Sequence, residues 1–265
     1  MKKISNRNKA TIIIVNYNNA VYLTKSINSA LSQNYKNKEV IVVDNNSTDN
    51  SISILNNFKK KITIIKNKKR TLHGSFNQIN SYFQGYKYSK GDYIFFLDSD
   101  DYFHKNKINL IIKKFKRDKE TKLIFDLPIL KFKNKLKKNK FIQKSFIFAS
   151  WPRFTPQSCI SVKKDYAFEL FKKLKINKFS MIWFDFRIAA YHFLKYKQIT
   201  IMHKYLTYYR QSDNSASKEF KTFNKKWWAR RKQAHEFVNF FKKKLNIKKK
   251  FNLEQIVTEF VNFIQ

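Results

Sequence analysis

GDYIFFLDSDD, residues Gly91 to Asp101, is the stretch on which the reading of this chain turns. Tyr93 to Leu97 have the β-branched and aromatic content of a buried strand, and Asp98, Asp100 and Asp101 follow with no turn residues between. Clustered acids at the edge of an apolar sheet need compensating charge. Hard divalent cations prefer such oxygens, which makes the cluster of Asp98, Asp100 and Asp101 a candidate metal site. The other reading is a helix cap, because Asp100 and Asp101 precede a helical pattern that starts at His104, and acids suit a helix N-terminus. These residues by themselves leave both readings open.

Upstream, strand and helix patterns alternate. Thr11 to Val15 and Glu39 to Val43 predict buried strands, and Lys61 to Ile65 a third. Between them, Val21 to Leu31 shows apolar residues at helical spacing, and Ser51 to Phe58 and Ser75 to Tyr88 predict two more helices. This β-α alternation implies a doubly wound, mostly parallel, Rossmann-like sheet flanked by helices. Ligands of such sheets sit outside the carboxyl ends of the strands, where Asn16, Asp44 and Asp98 all fall, so this rim is the expected site. Beyond Asp101 the pattern predicts a basic helix over 104–117, a strand over 123–125, a lysine-rich hairpin or loop over 130–144, and strands at 146–148 and 158–162. Helices follow over 165–174 and 181–194, then short strands at 199–202 and 205–209. From Phe220 the chain reads as a helical tail in which Trp227, Trp228, Phe237, Phe240 and Phe241 are interleaved with lysine and arginine.

Composition narrows the classes. The 265 residues include 56 Lys+Arg against 18 Asp+Glu, a formal net charge of +38, yet 43% are hydrophobic, which supports a packed core. The surplus lysine accompanies abundant Asn, Ile, Phe and Tyr, so it reads equally as codon-driven composition or as attraction to phosphates and anionic membrane. Three glycines supply neither G-x-G-x-x-G nor G-x-x-x-x-G-K-[ST], which excludes those two phosphate loops. One cysteine, Cys159, permits no internal disulfide, and no run reaches the ~20 apolar residues of a membrane span. The expected location is cytoplasmic, or peripheral on the inner face of the cytoplasmic membrane.

TIIIVNYNNAVYLTKSINSALSQNYKNKEVIVVDNNSTDNS, followed by GDYIFFLDSDD, resembles the family-2 nucleotide-sugar glycosyltransferases, inverting enzymes with the A-type glycosyltransferase fold. The likeness is close over about residues 10–104. It implies a nucleotide-sugar-binding half over 1–103, an acceptor-binding half of the same domain over 104–220, and the basic aromatic tail over 221–265. It further implies a UDP-linked sugar donor, a glycan or lipid-linked acceptor, and Mn2+ or Mg2+. Carried onto this sequence, Asn16, Tyr17, Asn18, Asp44, Asn46, Arg70, Gly74 and Asp98 would hold the nucleotide, and Asp100 with Asp98 the cation. Asp185, in Trp183-Phe184-Asp185, takes the place of the general base, with Phe184 where a Glu is usual. Trp183, Arg210 and Trp151 are candidates for acceptor or phosphate contact, with Gln157 and Arg153 beside Trp151. The resemblance also offers Asn77 or Asn80 as its recurrent Asn. In Tyr209-Arg210-Gln211-Ser212 the family's His is replaced by Ser212, leaving Asp213 or His203 as substitutes at the metal. A nucleotidyltransferase on a similar sheet and a non-catalytic basic module for membrane or nucleic acid are the competing classes. Nucleic acid has charge in its favour and no motif.

Overall fold

The computed structural model describes residues 8–133, 135–142, 151–211, 219–248 and 252–264. The first half contains β1 (Ala10–Asn16), α1 (Ala20–Leu31), β2 (Lys38–Asp44), α2 (Ser51–Phe58), β3 (Thr63–Lys66), α3 (Gly74–Tyr88) and β4 (Tyr93–Asp98). These are the alternating elements that the sequence pattern predicts. They pair in parallel in the order β3-β2-β1-β4, with Asn16 opposite Asp44 and Val15 opposite Asp98. The three polar strand ends therefore share one rim.

The inner strands β1 and β4 are apolar along nearly their whole length because helices cover both faces. On one face Ile13, Val43 and Phe96 pack with α3. On the other, Ile12, Ile14, Val42, Phe95 and Leu97 pack with α1 and α2. Helix α3 lies close to the sheet at Gly85, where an added Cβ would collide with Ile13 Cγ2 and stand 3.2 Å from Val43 Cγ2.

The second half extends the same sheet. It comprises β5 (Tyr102–Phe103), α4 (Lys107–Arg117), β6 (Leu123–Lys131), β7 (Leu136–Lys138), a 3-10 turn at Gln157–Cys159, β8 (Ile160–Lys163), α5 (Lys164–Leu174), α6 (Phe184–Tyr196) and β9 (Ile201–Arg210). Strand β8 joins antiparallel to β4, and the order continues β8-β6-β9-β5, with β7 paired to β6. Parallel pairing thus dominates the first half, and β8, β5 and β7 add antiparallel ladders to the second. Several expectations shift here. Strand β5, paired with β9, lies between the acidic cluster and α4, whose N-cap is Asn106, so neither Asp100 nor Asp101 caps that helix. The two short strands expected at 199–209 are one strand, β9, which a register irregularity against β6 accommodates. Helix α6 begins at Phe184 rather than Met181. The strand expected at 146–148 lies outside the described residues.

The tail folds back as α7 (Lys225–Lys244) and α8 (Leu253–Ile264). Ala234, Phe237, Val238 and Phe241 of α7 are buried in the same cluster as α5 and α6, so these tail aromatics belong to the core.

One buried ion pair ties the elements of the second half together. Lys107 Nζ, fully buried, lies 2.6 Å from Asp126 Oδ2 and donates to the Ser158 carbonyl at 2.6 Å and to Thr207 Oγ1 at 2.7 Å. Thr207 Oγ1 in turn donates to Asp126 Oδ1 at 2.7 Å. Replacing Lys107 by Met strands a buried carboxylate, and the expected loss of unfolding free energy in urea titration is about 3 to 5 kcal/mol. The double replacement Lys107→Met with Asp126→Leu should recover much of it; equal stability of the single variant and the parent would show that the pair does not anchor the fold.

Candidate active site

The carboxyl-end rim opens into a cleft of about 1100 Å³. Its floor is the end of β4. There Asp98 accepts from Tyr82 Oη at 2.8 Å and from Gln78 Nε2 at 3.2 Å, both residues lying one helical turn apart on α3. Burial, then the neighbouring Asp100, pushes the Asp98 carboxyl up to about 7, against the pull of those two hydrogen bonds. Asp100 lines the same cleft, and burial raises its pKa while Arg210 draws it back. Asp101 points the other way. It is 1% exposed, its Oδ2 accepts from Ser158 Oγ at 2.6 Å, and its Oδ1 accepts from the Arg210 backbone N–H at 2.8 Å. Asp101 is therefore a buried tie between β4, β8 and β9, with its carboxyl held well above the ordinary range by burial and by Asp100 and Asp98.

Asp98 and Asp100 fit a divalent cation. Both present carboxylate oxygens to one cleft, and both are disfavoured as anions by burial and, at Asp98, by the adjacent Asp100, a penalty that a cation between them would relieve. Among the described residues no group of three or more His, Cys, Asp or Glu converges to hold a metal. His203 is exposed in mid-β9 with its ring edge-on to Phe141, away from the cleft, while Ser212 and Asp213 lie outside the described residues.

At one end of the cleft the Arg70 guanidinium stacks on the Tyr17 ring at 3.0 Å from its centroid, and Asn18 closes the loop by accepting from Thr48 N at 2.7 Å. Gly74, at the start of α3, lies under the Trp183 indole, 3.0 Å from where a Cβ would stand. All of these residues except Thr48 line the cleft.

Five of the expected residues do not line the cleft. Asp44 is 1% exposed and spends its carboxylate on Asn16 Nδ2 at 2.8 Å, Ser47 Oγ at 2.6 Å and Ser47 N at 2.9 Å. It fixes the turn after β2, and Asn16 is likewise buried behind the rim; the residue that lines the cleft here is Asn45. Asn46 is exposed in the left-handed conformation, φ 61°, that turns the loop outward. Trp151 packs edge-on against Phe186 at 5.1 Å and beside His235, so it is a core aromatic and no part of the cleft lining. Arg153 donates to the Ile142 carbonyl, also away from the lining.

The opposite wall comes from the second half. Asp185, in the first turn of α6, lines the cleft with a pKa raised by burial and partly restored by Arg230 of α7. Arg210, at the end of β9, donates through Nε to the Asp100 carbonyl at 2.9 Å and sits over the Tyr22 ring at 4.1 Å. Lys131, Lys133 and Arg230 add further cations to this wall. Gln157 also lines the cleft, 2% exposed, with neither end of its amide hydrogen-bonded among the described residues. Asn77 and Gln78 line it from α3, whereas Asn80 does not.

Asn45, Gln78, Tyr82 and Arg230 were not singled out from the sequence. The i,i+4 spacing of Gln78 and Tyr82 on a helix leading to the rim was a usable signal. Arg230 had none, because its approach to Asp185 follows from how α7 folds back.

Comparison with known proteins agrees with this geometry. The family profile described as "Glycosyl transferase family 2" matches residues 11–188. An uncharacterized glycosyltransferase, alr2836, from Nostoc sp. is 32% identical over 126 residues, 46% of this chain and 37% of that protein. The Escherichia coli "UDP-Glc:alpha-D-GlcNAc-diphosphoundecaprenol beta-1,3-glucosyltransferase WfaP" is 42% identical over 100 residues, 37% of this chain and 38% of its own. These matches thus span under two fifths of either relative's length. Among solved structures, S. aureus TarS 1-349 in complex with UDP-GlcNAc superposes with a TM-score of 0.62 at 16% identity, covering 96% of this chain and 70% of TarS 1-349. The mannosyltransferase PcManGT from Pyrobaculum calidifontis, in complex with GDP-Man and Mn2+, gives 0.56 at 15%, covering 97% and 70%. The fold is shared with these glycosyltransferases, and the profile match across the rim, the acidic strand end and the start of α6 places the chain in glycosyl transferase family 2.

Proposed function

We propose that the chain transfers a sugar, with inversion, from a UDP-linked donor to a hydroxyl of a glycan or lipid-linked acceptor. The observation that carries this reading is that Asp98 and Asp100 from one half and Asp185 from the other line a single cleft. Tyr17, Arg70 and Asn45 would hold the nucleoside, and Asp98 its ribose. A divalent cation, Mn2+ or Mg2+, held by Asp100 and Asp98 would supply Lewis-acid stabilisation of the departing diphosphate. Arg210 adds fixed positive charge at the same place.

Asp185 accepts the proton of the acceptor hydroxyl. The oxygen then attacks the anomeric carbon as the carbon–oxygen bond to the diphosphate breaks on the opposite face, and one such displacement inverts the centre. A raised carboxyl pKa suits this task, because a base near the working pH both exists as the anion and holds the proton it takes. Gln157, with an unpaired donor and acceptor at the cleft, would read a sugar hydroxyl.

Lys131, Lys133 and Arg230 on the acceptor side support an acceptor that carries phosphate, in line with the diphosphoundecaprenol-linked acceptor in WfaP's name. Among the described residues no helix is long and apolar enough to cross a membrane.

Asp100→Ala should lower metal-dependent release of UDP from a UDP-sugar at least about a hundredfold with an unchanged circular dichroism spectrum; full turnover in that variant would sink the reading. In Gln157→Leu, KM for donor or acceptor should rise about tenfold with kcat nearly kept, whereas unaltered KM values would remove Gln157 from substrate contact. The rate should rise with pH as Asp185 deprotonates. Because Arg230 holds that carboxyl down, Arg230→Ala should move the acid limb of the kcat/KM profile to higher pH; a limb that stays put would dissociate Asp185 from the base.

A further inference from the structure

Helix α8 is inside out. Its polar residues apart from Glu259 face the protein: Thr258 is fully buried, Asn262 Nδ2 donates to the Trp228 carbonyl at 3.1 Å, Gln255 Oε1 accepts from Asn239 Nδ2 at 3.2 Å, and Glu254 forms an ion pair with Arg231. Its apolar residues face solvent. Leu253, Ile256, Val257, Phe260, Phe263 and Ile264 fall on one side of the helix by their spacing, and their exposure runs from 44% at Val257 to 87% at Phe263. Hydrogen bonds and an ion pair fix this orientation, so rolling the apolar side inward would leave those polar partners unpaired. A contiguous apolar face held outward in this way marks an interaction surface.

The charge around it selects the occupant. Residues 225–264 carry eleven Lys or Arg against three Glu, with Lys242 to Lys244 and Lys248 to Lys250 in the chain immediately before α8. Lys232 borders Phe260 and Phe263 in a shallow depression between α7 and α8 that Glu236 and Glu259 also line. Apolar side chains flanked by lysine match a bilayer with anionic headgroups, where the hydrocarbon takes the apolar face and each nearby Lys contributes about 1 kcal/mol. A second copy fits poorly, since a chain of formal net charge +38 would oppose like charge to like.

We infer that α8 is a membrane-docking helix that seats the protein on an anionic lipid surface through Ile256, Phe260 and Phe263. The assignment stands independently of the transferase reading, but the two fit together. Asn262 is bonded to Trp228, and Arg230, two residues further along α7, lines the cleft, so the end of α8 bearing Phe263 packs on the same turn of α7 that contributes to the cleft.

The test is sedimentation of the full chain with sucrose-loaded vesicles of phosphatidylcholine alone or mixed with phosphatidylglycerol. The parent should pellet with the mixed vesicles. Ile256→Glu, Phe260→Glu and Phe263→Glu together should lower that partitioning at least about tenfold, with the melting temperature and vesicle-free hydrolysis of a UDP-sugar unchanged. Equal pelleting of parent and triple variant would overturn the assignment, as would a parent that stays in the supernatant. A parent that sediments as a dimer, and the triple variant as a monomer, would assign the face to a second copy instead.

Discussion

Three carboxylates crowded at the end of one strand repel each other, and the structure around β4 is arranged to hold them there. Asp101 is held by hydrogen bonds from Ser158 and the Arg210 backbone, and Asp98 by Tyr82 and Gln78. Ser158 reaches Asp101 only because its own carbonyl is gripped by Lys107, whose charge is answered by Asp126. A chain of buried polar contacts thus runs from α4 and β6 through the 3-10 turn to the acidic edge. Such a network specifies position, because each member left alone would be a buried charge or an unsatisfied group.

That arrangement explains why the chain cannot be divided functionally at the end of β4. The cleft takes its acidic floor from β4, its aromatic and guanidinium end from the loops after β1 and β3, and Asp185 from α6. The far wall comes from β9 and from α7, so what reads in sequence as a basic tail supplies Arg230 to the site and Phe237 and Phe241 to the core. The proposed inverting transfer places an acceptor oxygen and a leaving diphosphate on opposite faces of one carbon, and walls from both halves are able to present the two.

The basic charge divides into separate roles. Lys107 is buried and structural, Arg70 and Arg210 line the cleft, and the lysines before α8 flank a helix whose apolar side faces out. Helix α8 also shows why amphipathic spacing does not by itself say which side is inward: Glu254, Gln255 and Asn262 had partners on α7, and those bonds set its rotation.

Period and punctuation sufficed for the alternating elements from Ala10 to Asp98, since a buried parallel strand and an amphipathic helix each impose their repeat on the residues that form them. The rim at Asn16, Asp44 and Asp98 followed from the rule that such sheets bind ligands at their carboxyl edge. What the period cannot report is which way a polar side chain turns once it arrives. Asp44 turned inward to Ser47 and left the cleft to Asn45, Trp151 joined the core, and Asp101 became a tie between strands, each according to partners far away in sequence. The sequence alone determined the sheet, its order of elements and the edge where chemistry is placed, because those depend on local repeats. The tertiary structure decided which residues at that edge face the cleft, because that choice is made by hydrogen bonds between segments as distant as Asp101 and Arg210.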